Sequence, residues 1–171
     1  MKKLLFMIVT GIDRLTKAVS NVALLMIIPI AAIMLYEVIV RYFMGRPTLW
    51  ATELATMIFG AYMLFAGPWS VLQKIQVGVD IFSSHWSPRT RSIVNTLTYV
   101  FTFVLFSSLL YTSYIYAVES WNIKEVSTTA WSPVLYPFKM IIPVALFLML
   151  LQTFAEFLRN LWMACTGEEL E

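Results

Sequence analysis

One cysteine (Cys165), one histidine (His85) and a charged fraction of only 13% are what this 171-residue sequence has in short supply. The lone cysteine excludes an internal disulfide and any cysteine-based metal cluster. One histidine and one cysteine assemble neither a nucleophile–base pair nor a metal-ligand set, and no glycine-rich phosphate loop occurs. These absences point away from an enzyme, and no cofactor is expected on the chain. A haem held between helices needs a ligand at membrane depth. His85 lies outside the apolar runs, and the ten methionines are read as packing. The scarcity of charge excludes more. A soluble domain of this length needs a polar surface that a chain 60% hydrophobic, with a mean hydropathy of +0.76, does not supply. A net charge of +2 offers little to a polyanion, and no nucleic-acid partner is expected. The N-terminus makes a poor secretory signal, because Lys2 and Lys3 precede only six apolar residues before Thr10, Gly11 and further charges.

What is present is long apolar sequence. Between charges run Ala18–Tyr36 (19 residues), Leu54–Gln73 (20), Ser92–Val118 (27) and Met140–Ala155 (16). About 20 apolar residues cross a hydrocarbon core of roughly 30 Å as a helix. The first three runs suffice, and the fourth extends to Leu158 if Glu156 snorkels at the boundary. The tryptophans agree independently. Trp50, Trp69, Trp86, Trp121, Trp131 and Trp162 all fall at or just outside the ends of runs, where an amphipathic ring belongs. The expected fold is an all-α membrane protein, one domain over 1–171, with transmembrane helices at about 18–41, 51–72, 92–118 and 135–160.

Orientation follows the basic residues. The side holding both termini and the loop after the second helix carries Lys2, Lys3, Arg14, Lys17, Lys74, Arg89, Arg91 and Arg159; the other carries Arg41, Arg46, Lys124 and Lys139. Both termini are therefore expected in the cytoplasm. Residues 1–17 repeat apolar side chains at helical spacing (Leu4, Leu5, Ile8, Val9, Ile12, Leu15), which fits either a helix lying among lipid headgroups or an extension of the first membrane helix. The loop containing Val77–Phe82 is semi-apolar and is expected to rest on the membrane surface.

The charges inside "YEVIVRYFMGRPTLWATELA", Tyr36 to Ala55, ask for an explanation. Glu37 and Arg41 are spaced i,i+4, so carboxylate and guanidinium can meet. Folding a tight hairpin about Arg46 also brings Arg41 within reach of Glu53. The expected network Glu37–Arg41–Glu53 pins the first two membrane helices together near one interface. The rival reading makes Glu37 or Glu53 a proton or cation site. Beyond this stretch, the second and third helices carry small and hydroxyl residues, among them Ala51, Ala55, Ser108 and Thr112, at the one-turn spacing used for helix contacts. A solute conduit needs fixed polar groups at mid-depth, often on broken helices, and the runs offer almost none. The chain reads as one that packs against something.

The sequence resembles the small membrane subunit (DctQ-like, SiaQ-like) of tripartite ATP-independent periplasmic (TRAP) transporters. The resemblance rests on the Tyr36–Ala55 stretch, on "VGVDIF" at Val77–Phe82, on "RTR" at Arg89–Arg91, and on "WSPVLYPFKMIIPVALFLMLLQ" from Trp131 to Gln152. Gly78 departs from it, since relatives often have a basic residue there. The resemblance implies a bacterial inner-membrane, multi-pass accessory subunit without substrate, metal or catalytic residues of its own. A large membrane subunit would carry the sodium and substrate sites, and a periplasmic binding protein would deliver an organic acid, sialic acid or a C4-dicarboxylate. Arg46, Trp50, Lys124, Trp131 and Lys139 would then form a docking surface for that protein, their charges steering association. The alternative from the residues alone is a small homodimeric four-helix exporter with Glu37 as its proton-coupling acid; a redox anchor is a third.

Overall fold

The structure is a computed structural model that describes residues 2–73 and 88–167. His85, Lys74 and Val77–Phe82 lie outside the described residues. Six helices appear among them: α1 (Lys2–Leu25), α2 (Ile27–Met44), α3 (Ala51–Leu72), α4 (Pro88–Asn122), the single turn α5 (Tyr136–Lys139) and α6 (Ile141–Thr166). Four stretches are long and apolar enough to cross a membrane: Leu5–Met44, Ala51–Leu72, Ser92–Asn122 and Tyr136–Thr166.

Chain breaks, not charges, set the ends of these helices. Lys17 does not interrupt α1, which runs unbroken from Lys2 to Leu25, so residues 2–17 are helical and continuous with the start of the first apolar run. The interruption comes at Met26, three residues before Pro29. Proline has no N–H to give the Leu25 carbonyl. Around it the pattern tightens, with the Met26 N–H donating to the Ala23 carbonyl at 2.9 Å and the Ile30 N–H to Met26 at 3.3 Å. α2 stops at Gly45, whose φ of +63° is a left-handed cap that favours glycine. Pro143 lies in the first turn of α6, where an N–H has no partner to lose, so it starts that helix without kinking it.

α6 occupies the middle of the bundle, packed by α4, α3 and α1, while α3 also holds α1 and α2. Close approach explains part of this. Ala51, Ala55 and Ala61 of α3 are buried, and a Cβ added to Gly67 would come within 3.2 Å of the Met149 sulfur on α6. By contrast α2 and α4 turn long apolar faces outward, with Ile28 67%, Leu35 63% and Phe101 70% exposed. Such faces are at home only in lipid or against another membrane protein. At the end of the bundle where α2 meets α3, residues 123–135 fold into a small hairpin-like loop. It is closed by an isolated antiparallel bridge between Val126 and Val134 and by the Ser127 N–H donating to the Pro133 carbonyl at 2.9 Å.

Candidate functional site

Polar groups collect at the two ends of the bundle. At the hairpin end, Glu37 is 2% exposed and both its carboxyl oxygens accept hydrogen bonds. Arg41, one turn along α2, donates to its Oε1 from Nη2 at 2.7 Å and from Nε at 3.1 Å. Thr48, in the turn after Gly45, donates its N–H to Oε2 at 3.2 Å and its hydroxyl to the same oxygen. The carboxylate thus ties the α2 helix to the turn that follows it.

Glu53 does not join this pair. It accepts the Ser127 hydroxyl at 3.0 Å and the Thr129 hydroxyl at 2.9 and 2.8 Å, so it fastens α3 to the 123–135 loop. The three-residue network expected from the sequence is therefore two separate ties. Thr48 fills the second oxygen of Glu37, and the loop, invisible to a hairpin-folding argument, supplies hydroxyls to Glu53.

The other residues singled out at this end have varied surroundings. Arg46 is exposed in the turn, and Trp131 is exposed on the loop. Trp50 stacks obliquely on Tyr36 with ring centroids 5.7 Å apart. The Lys124 ammonium sits 4.9 Å from the ring centres of both Trp121 and Tyr136, which meet edge to face, so it makes cation–π contacts with both. Lys139 pairs with Glu125. The Lys139 hydrogen bond is the main reason the Glu125 carboxyl titrates below its usual 4.5.

The opposite end holds a cluster that the sequence reading missed. Thr16 of α1 donates its hydroxyl to Gln152 Oε1 at 2.7 Å, and Gln152 Nε2 donates to Asp13 Oδ1 at 3.1 Å. Arg159 bridges the Asp13 and Glu156 carboxylates. Gln152 and Glu156 are fully buried, and Thr16 is 2% exposed. Glu156 therefore does not snorkel to the boundary. It points into the bundle, because its own helix brings Arg159 round at i,i+3 and α1 supplies the second acid. Asn95 of α4 donates to Asn160 at 3.4 Å beside the cluster. A signal existed. Asp13, Thr16 and Ser20 (i, i+3, i+7) form one polar stripe and Gln152, Glu156 and Arg159 (i, i+4, i+7) another.

Chemically, the bundle is a set of fasteners. The acids Glu37, Glu53, Glu125 and Asp13 each accept bonds from neighbouring side chains, and no polar file connects the two ends among the described residues. A groove of about 410 Å³ lies on the outside, between α4 and α6. Its walls mix aliphatic side chains (Leu109, Ala117, Ile142, Leu146) with Thr112, Ser113, Tyr116 and Lys139.

Comparison with known families gives one match. The family model described as "Tripartite ATP-independent periplasmic transporters, DctQ component" matches residues 30–162, from the first turn of α2 to near the end of α6. A comparison with curated proteins finds no match.

Proposed function

From the premise that this chain belongs to the DctQ family of tripartite ATP-independent periplasmic transporters, we propose that it braces the large membrane subunit of such a transporter and helps seat a periplasmic substrate-binding protein. As a family member it is a transport component of the inner membrane and not an enzyme. In this reading both termini face the cytoplasm, which puts Arg46, Trp50, Lys124 and Trp131 on the periplasmic side. The large subunit carries the sodium and substrate sites, and the cargo is an organic acid such as sialic acid or a C4-dicarboxylate.

The observation that carries the reading is where the polar atoms go. A protein that moves an anion must keep donors open along its path. Here the polar side chains gather at the two ends of the bundle and are spent on partners there, Thr16 on Gln152 and Gln152 on Asp13 among them, while the exterior of α2 is apolar and that of α4 mostly so. The same fact counts against the homodimeric exporter, because both oxygens of Glu37 are already occupied.

Reconstitution tests it. Purified alone into liposomes with sodium and proton gradients, the chain is expected to move no organic acid, whereas a preparation that retains the co-purifying large subunit and binding protein does. Uptake by the chain alone would refute the reading.

A further inference from the structure

Hydroxyl groups on the outside of α4 point to where a partner sits. Four positions there, Ser108, Tyr111, Thr112 and Ile115, share one helical face by their i, i+3, i+4, i+7 spacing. All four are exposed, Tyr111 at 69%. Several other hydroxyls of the same helix are satisfied within it. Thr98 donates to the Val94 carbonyl at 3.0 Å, Thr102 to Thr98 at 3.0 Å, and Ser113 to Leu110 at 3.0 Å. Among the described residues Ser108, Tyr111 and Thr112 form no such bond, and Thr112 edges the groove beside α6.

Depth makes this costly. The uncharged part of α4 from Ser92 to Val118 is about 40 Å long at 1.5 Å per residue, against a core of about 30 Å. However the core is slid along it, Ser108 stays at least about 6 Å inside hydrocarbon by the same arithmetic. Tyr111 lies nearer the interface, but side chains on a helix lean toward its N-terminus. For Tyr111 that direction is the middle of the membrane, so its phenol is turned away from the near headgroups. Lipid tails offer a hydroxyl nothing to bond. The outward side of α2 across Ile27–Leu35 has only apolar residues and suits lipid as it stands.

We propose that the Ser108–Tyr111–Thr112–Ile115 face of α4 is the surface on which the large membrane subunit packs, through a transmembrane helix that presents hydrogen-bond acceptors to these hydroxyls. The proposal rests on the accessory-subunit reading above and adds the face. The groove between α4 and α6 borders the patch. Leu109, Thr112, Tyr116, Ile142 and Leu146 are among its walls, so it can take an apolar side chain of the incoming helix.

A photo-activated benzophenone amino acid placed at position 111 of the full chain, in membranes containing the large subunit, tests the proposal. Illumination is expected to yield an adduct with the large subunit from position 111 and none from positions 28 or 35 on α2. A combined Ser108→Ala, Tyr111→Phe, Thr112→Val variant keeps the volume and is expected to melt like the unsubstituted chain on its own. It should co-purify with less large subunit, by about threefold for each hydroxyl bond lost. Adducts from α2 alone, to lipid alone or to a second copy of this chain would overturn the assignment, as would undiminished co-purification. Failure of the unsubstituted chain to hold any large subunit would instead bring down the accessory reading itself.

Discussion

Arg159 stands out among single residues, because two buried or half-buried carboxylates from different helices converge on one guanidinium. Removing one partner of a buried ion pair costs about 3–5 kcal/mol, mostly because the other charge is left stranded. Arg159→Met is therefore expected to destabilise the bundle by about 3 kcal/mol in mild detergent, the lower end of that range, since the Arg159 side chain is 26% exposed. Hydrogen exchange should accelerate first in α1. Arg14→Met, on the exposed side of α1, is the control and should stay within about 0.5 kcal/mol. The residue scale is also where sequence reasoning reached least far. Glu37 and Arg41 are four residues apart, and helix geometry alone pairs them. Thr16 and Gln152 are separated by 136 residues, and Asp13 and Arg159 by 146. Only the register of α1 against α6 brings them together, and apolar periodicity does not specify that register.

The instructive element is the 123–135 loop. It is held from two sides, by Glu53 of α3 through Ser127 and Thr129 and by Lys139 through Glu125. Because the Glu125 carboxyl titrates below 4.5 in the folded chain, its tie is complete above that pH and is lost as the pH falls through the depressed folded value. Acidification below about pH 4.5 is thus expected to loosen the loop. Tryptophan fluorescence, with Trp121 and Trp131 in or beside the loop, would follow the change. Lys139→Met should flatten that acid response. At this scale three of the membrane-crossing segments were plainly legible, since a run of 19 or more uncharged residues has few other fates, while the fourth, a run of 16, had to be extended past Glu156. Helix ends were less so. Lys17 and Glu119 bound the runs without stopping α1 and α4; the chain breaks instead at Met26 ahead of Pro29, at Gly45 and at the loop after Asn122. The loop's grip on Glu53 was illegible because hydroxyl partners carry no pattern.

For the whole molecule, the lone cysteine provides a direct test of orientation. Cys165 is exposed near the end of α6. With both termini in the cytoplasm, a membrane-impermeant maleimide should label it in inverted vesicles and leave it untouched in intact spheroplasts. The opposite pattern would turn the docking surface at Arg46, Trp50, Lys124 and Trp131 to the wrong side.

The family match begins at residue 30, beyond the whole of α1, yet α1 supplies Asp13 and Thr16 to the partners of α6. A chain trimmed to its recognisable portion would strip a carboxamide and a carboxylate of their cover and leave both facing oil. The leading helix is thus no detachable appendage: it supplies the partners that buried polar groups of α6 require.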